Sequence, residues 1–174
     1  LEIALEARIA SGDSNRTAAT LRALAFSGSA SSANQVDSLT RNGCPVVRSA
    51  ALVCLGKLDR AAGESQIRYS LLNDPDPRVR LGAIEALKPV PLGVAEEQAP
   101  NAGRVSAVAL VDLLHVAKND ANKSVRLQAL RFFEQTWRRA PGSVLDAVRI
   151  MAANDASPYV CDRAQWALDY AFEF

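Results

Sequence analysis

Asn73-Asp74-Pro75-Asp76-Pro77-Arg78-Val79-Arg80-Leu81-Gly82-Ala83-Ile84-Glu85-Ala86-Leu87 reads as a tight turn running into an amphipathic helix. Asp76 suits the N-cap, where its carboxylate accepts a free amide of the first turn. Pro77 suits the first helical position, because the N–H it lacks would have no helical partner there. From Val79, the residues Ala83, Ile84 and Leu87 follow at offsets that trace one apolar stripe down a helix.

The pattern recurs without gaps in Arg41–Arg48, Asn119–Arg126 and Asn154–Cys161. The cap column holds Cys44, Asp76, Asn122 and Ser157, and the next holds Pro45, Pro77, Lys123 and Pro158. After Val47, Val79, Val125 and Val160 come a small column (Ala51, Ala83, Ala129, Ala164) and two larger ones. Those read Leu52, Ile84, Leu130, Gln165 and Leu55, Leu87, Phe133, Leu168. A weaker copy precedes them, with Asp13 as cap, Arg16 in place of the valine, and Leu21 and Leu24 in the core columns. A second apolar-striped segment leads into each turn, marked by Ala4/Leu5, Leu39, Ile67/Leu71, Leu113/Ala117 and Val148/Ala152. Helix A, turn, helix B therefore repeats about five times, which predicts an all-α repeat fold in which neighbouring hairpins stack to bury faces none can bury alone. The longest interval between valines carries Pro89-Val90-Pro91 and the residues up to Asn101. Prolines there end the preceding helix, and an inserted loop is expected at about 89–104 within a single repeat domain spanning 1–174. Residues 27–33 read as a shorter linker of small residues.

The segment Asn73–Leu87 resembles the HEAT repeat, in particular the short form of phycobilisome-lyase-like HEAT proteins, and the resemblance extends in weaker form over most of the chain. It implies an α–α superhelix (a HEAT/armadillo-like solenoid) of about five helical hairpins. It also implies a ladder in which a turn aspartate (Asp74, Asp120, Asp155) meets the arginine after the valine (Arg48, Arg80, Arg126). Asn42 and Cys161 depart from those columns, so the ladder is expected to break at both ends. In such stacks the second helix of each repeat lines a concave surface. The function implied is that of a non-catalytic scaffold binding a protein or peptide there.

Twenty basic and nineteen acidic residues nearly cancel, whereas a protein built to neutralise phosphates shows a basic excess. Nucleic-acid binding is the least favoured alternative, despite Trp137-Arg138-Arg139. No apolar run approaches the roughly 18–20 residues a membrane-spanning helix needs. Cys44 and Cys54 lie ten residues apart on one expected helix, about 15 Å and beyond disulfide reach. With Cys161 they are read as free thiols, which weakly favours a reducing, cytoplasmic compartment. Leu1-Glu2-Ile3-Ala4-Leu5-Glu6 reads as a helix entered midway, so a fragment or processed form is expected.

No cofactor or metal site is expected. His115, with Asp112 and Asp120 near it, lacks a nucleophile in any recognisable arrangement. The Asp74-Pro75-Asp76 and Asn119–Asn122 turns lack the Gly and Glu of a calcium loop, and the caps account for their oxygens. Cys44 at a helix N-terminus has a setting that can depress a thiol pKa; the simpler reading is a substituted cap. A convergent polar cluster or a reactive cysteine in a pocket is what the other alternative, a lyase-like or chromophore-related accessory enzyme, would require. The arginine column is read as internal bracing rather than an anion stripe. Eight of the ten aromatic residues lie from Phe132 onward, and Trp166 and Tyr170 fall off the core stripe. Beside Arg131, Glu134, Arg163 and Asp169 they make the candidate partner-binding site, a hot spot in one reading and a packing cap over an open core end in the other.

Overall fold

The computed structural model describes Leu5, Ala7 and Ile9 and the stretches 11–27, 32–88, 105–136 and 141–172. The inserted loop expected at about 89–104 lies outside the described residues, as do Trp137, Arg138, Arg139 and Phe174. Among the described residues every regular element is helical: α1 (Ser14–Ser27), α2 (Ala33–Leu39), α3 (Pro45–Leu58), α4 (Arg60–Asn73), α5 (Pro77–Leu87), α6 (Ala107–Asn119), α7 (Lys123–Thr136), α8 (Gly142–Asn154) and α9 (Pro158–Trp166). The chain divides into two compact units, Leu1–Val105 and Ser106–Phe174.

In the first unit α3 is central, packed against α1 on one side and α5 on the other, with α2 and α4 against it as well. The repeat columns supply this core: Val47, Ala51, Leu52, Leu55, Val79, Ala83, Ile84 and Leu87 are all buried, as are Leu21 and Leu24 of the weaker copy. Each large aliphatic side chain so buried stabilises the fold by about 1.5–3 kcal/mol. Two glycines set how closely α3 and α5 approach. A Cβ on Gly56 would run into the Ala86 carbonyl oxygen and lie 2.8 Å from its Cα, and one on Gly82 would strike Ser49. The two backbones are therefore in direct contact.

Local chemistry fixes the corners. Asp59 both ends α3 and caps α4, its N–H donating to the Leu55 carbonyl and its carboxylate accepting from the Ala62 amide at 3.0 Å. The buried Arg60 guanidinium donates to the last carbonyls of α5, Leu87 and Lys88, where a cation suits the negative end of the helix dipole. Lys88 is extended (φ −60°, ψ 138°), the conformation imposed on a residue before proline, so α5 stops at Leu87.

In the second unit α7 packs with α6, α9 with α8, and the pairs meet through α6–α8 and α7–α9. Val125, Ala129, Leu130, Phe133, Val160 and Ala164 are fully buried, and Phe132 and Phe133 meet edge to face at 5.9 Å. Two positions expected in the core behave otherwise: Gln165 is exposed and Leu168 only half-buried. Leu168 falls within a π turn over Ala167–Ala171, closed by the Phe172 N–H on the Ala167 carbonyl at 3.2 Å. One extra residue per turn rotates the register, which brings Phe172 into the core (4% exposed) and leaves Tyr170 outside.

Candidate functional site

The turn aspartates and column arginines form one repeated hydrogen-bonded device. Asp74, Asp120 and Asp155 each accept the amide two residues on, from Asp76, Asn122 and Ser157, at 2.8–2.9 Å. Asn42 does the same for the Cys44 amide. Six residues past the turn, Arg48, Arg80 and Arg126 each donate Nη1 to the carbonyl of Asn42, Asp74 or Asp120 at 2.7–2.9 Å. Arg48 then reaches Asp74 of the next turn through Nε and Nη2 (2.8 and 2.9 Å), and Arg126 grips Asp155 in the same fork at 2.7 Å for both bonds. The second pair is nearly dry, at 9% and 3% side-chain exposure. The Arg126 guanidinium, with the Ser157 amide, holds the Asp155 carboxyl below the usual carboxylate range. At Cys161 the column loses its guanidinium, and the thiol donates to the Asp155 carbonyl at 3.3 Å instead. Arg48 and Arg126 are thus spent on backbone and carboxylate, and Arg80 Nη1 on backbone.

The caps follow the columns unevenly. Asp76 and Asn122 accept first-turn amides (Arg78 and Ser124). Asp13 caps α1 through the amides of Asn15 and Arg16. Ser157, read as a cap on sequence, and Cys44, read as a substituted cap, make no side-chain capping bond; Asn42 and Asp155 satisfy their amides from behind. The exposed Arg78 lowers the Asp76 carboxyl to about 2.

Part of the aromatic C-terminal set forms a patch on α7 and α9. Arg163 pairs with Glu134 through Nε at 3.1 Å and Nη2 at 2.5 Å, and its guanidinium lies over the Trp166 ring, 3.9 Å from the centroid. Trp166 contacts Tyr170 in turn, the rings 6.0 Å apart and tilted by 38°. Glu134 is almost buried at 8% exposure, whereas Trp166 remains 43% and Tyr170 76% exposed. One planar cation is thus fixed from behind by a carboxylate and presents an indole outward. Arg131 is exposed at the position of α7 equivalent to Trp166 of α9. Asp169 accepts from Gln165 at 2.9 Å; no bond joins it to Arg163. The aromatic set therefore divides: Phe132, Phe133 and Phe172 complete the core, while Trp166 and Tyr170 face solvent.

The Arg163–Glu134 brace, as a contact, is not legible in a single helix. Its signal lies in two columns. Gly56 and Gly82 let α3 and α5 touch; the equivalent positions of α7 and α9 hold Glu134 and Arg163. Where the first unit packs backbone on backbone, the second inserts an ion pair and hangs an aromatic surface on it.

The remaining candidates stay apart. His115 is exposed, with Asn119 at 3.4 Å from Nδ1. Among the described residues no group of three His, Cys, Asp or Glu is arranged to hold a metal ion, and no helix is long and apolar enough to cross a membrane. The three cysteines are free. Burial pushes the Cys54 thiol up to about 12. The Ser14 hydroxyl and the Val46 and Val47 amides favour the Cys44 thiolate, lowering that group.

The comparison that bears on these stacked hairpins is a family model: that of HEAT repeats matches residues 2–88, half of the chain. The chain belongs to the HEAT-repeat family. No curated protein and no solved structure matches it. HEAT repeats generally mediate protein–protein interaction and are generally non-enzymatic scaffolds. In this HEAT protein the matched half contains the Arg48–Asp74 brace and the glycine contacts, while the α7–α9 patch lies outside it.

Proposed function

We propose that this HEAT-repeat chain is a non-catalytic scaffold that binds a protein or peptide on the second helices of its repeats, with Trp166 and Tyr170 of α9 as the anchor. The observation that carries this reading is the Glu134–Arg163–Trp166–Tyr170 array, in which an ion pair holds large aromatic faces in place and exposed. Exposed rings are costly in water, and Trp166, with the Arg163 guanidinium packed over it, loses less conformational freedom when covered than an unsupported side chain would. Exposed Arg131 alongside supplies a cation for a carboxylate of the partner.

A photo-crosslinking residue placed at position 170, with a second at exposed Val111 as control, tests the assignment in cells or extract. Discrete adducts from position 170 alone, lost in Trp166→Ala/Arg131→Ala, are expected. Trp166→Ala should cost about 2 kcal/mol or more, roughly a thirtyfold loss of affinity. Unaltered partner binding by the double variant overturns the site.

A further inference from the structure

The turn between α2 and α3 is the one whose column position carries an amide instead of a carboxylate. Asn42-Gly43 stands where the other turns read Asp74-Pro75, Asp120-Ala121 and Asp155-Ala156. We propose that Asn42-Gly43 is a site of spontaneous deamidation, at which the Gly43 backbone nitrogen closes on the Asn42 side chain and the turn acquires the aspartate its counterparts have.

Three features of the turn set up this chemistry. Asn42 Oδ1 accepts the Cys44 amide at 2.9 Å, so the side-chain carbonyl is folded forward over the following backbone and polarised. The same N–H stabilises the charge that develops on that oxygen when a nucleophile adds. The nucleophile is Gly43 nitrogen, which among the described residues makes no hydrogen bond; Gly43 is bound only through its carbonyl, by Arg48. Gly43 is also exposed and lies outside any helix, with open space around its Cα. The equivalent residues differ: Pro75 has no N–H to lose, and Asp120 and Asp155 have no amide to expel.

The step balances with water alone. Gly43 nitrogen loses its proton and bonds to Asn42 Cγ, the bond from Cγ to the side-chain nitrogen breaks, and ammonia leaves. The resulting five-membered imide then takes up water at either carbonyl, giving aspartate or its isomer with the chain routed through the side chain. The two products differ in consequence. Aspartate keeps the Cys44 amide bond and puts a negative charge at the N-terminus of α3, where the helix dipole favours it. The isomer lengthens the main chain and turns the Asn42 carbonyl into a free carboxylate, disturbing the bonds that this carbonyl and that of Gly43 now accept from Arg48 Nη1 at 2.9 and 3.2 Å.

The test is incubation of the folded full chain in mildly alkaline buffer, followed by peptide mapping. Conversion at Asn42 is expected ahead of Asn34, Asn73, Asn119, Asn122 and Asn154, faster at higher pH, with both acid products present. Gly43→Ala, which has room for its methyl group, should slow it severalfold or more without changing the thermal midpoint. Asn42→Asp should fold like the parent. Asn42 remaining intact in the folded chain while the urea-unfolded chain converts overturns the proposal, as does a rate that Gly43→Ala leaves unchanged.

Discussion

Asp155 performs two tasks with one carboxylate: it accepts the Ser157 amide that opens α9 and both bonds of the Arg126 fork. Removing one member of so dry a pair leaves the other charge buried without compensation. Asp155→Asn should therefore cost roughly 3 kcal/mol in chemical denaturation at neutral pH; an unchanged midpoint would show the pair to be dispensable. The pH dependence has a definite sign. The folded carboxyl titrates below its unfolded value of about 3.9, so its contribution is complete above about pH 5 and is lost as pH falls through the unfolded and then the folded value. The Asp155→Asn chain should lack that part of the acid limb. Arg163 is equally particular about its chemistry. Arg163→Lys retains the charge but has neither the fork for Glu134 nor the plane for Trp166, so partner binding should weaken nearly as much as in Arg163→Ala. Binding at parental strength would reduce the brace to a point charge.

Elements in this chain are set by caps and column residues, and their distances by what sits between them. Gly56 lies against the backbone at Ala86, which cannot yield as a flexible side chain would. Gly56→Ala is expected to cost about 1–3 kcal/mol, read as a fall in thermal midpoint of several degrees per kcal/mol. The exposed Gly43 accepts the same change within about 0.5 kcal/mol. Equal effects at the two positions would refute the close contact of α3 and α5. The π turn makes a second prediction: Phe172→Ala should destabilise the second unit by about 3 kcal/mol, because the turn exists in a register that buries this ring. Tyr170→Ala, two residues away and mostly exposed, should leave stability unchanged and reduce partner binding.

At the scale of the molecule, 1–105 and 106–174 each enclose a core of their own. Expressed alone, 1–105 should unfold cooperatively, while the shorter piece, near the size at which a single core is marginal, should be much less stable. A non-cooperative melt of 1–105 would count against its independence. The amino-acid sequence by itself determined the helices, the core columns and the repeat, because caps, prolines and the 3.6-residue period act within a few residues of one another; that is why Val79, Ala83 and Leu87 announce their burial. It also pointed to Trp166 and Tyr170 by their departure from the stripe. Only the tertiary structure decided that Phe172 joins the core, that Arg60 closes α5, and that Arg163 and Glu134 meet across twenty-nine positions of chain. Those outcomes depend on how two helix surfaces meet and on a single π turn, and no local pattern encodes the distance between neighbouring backbones.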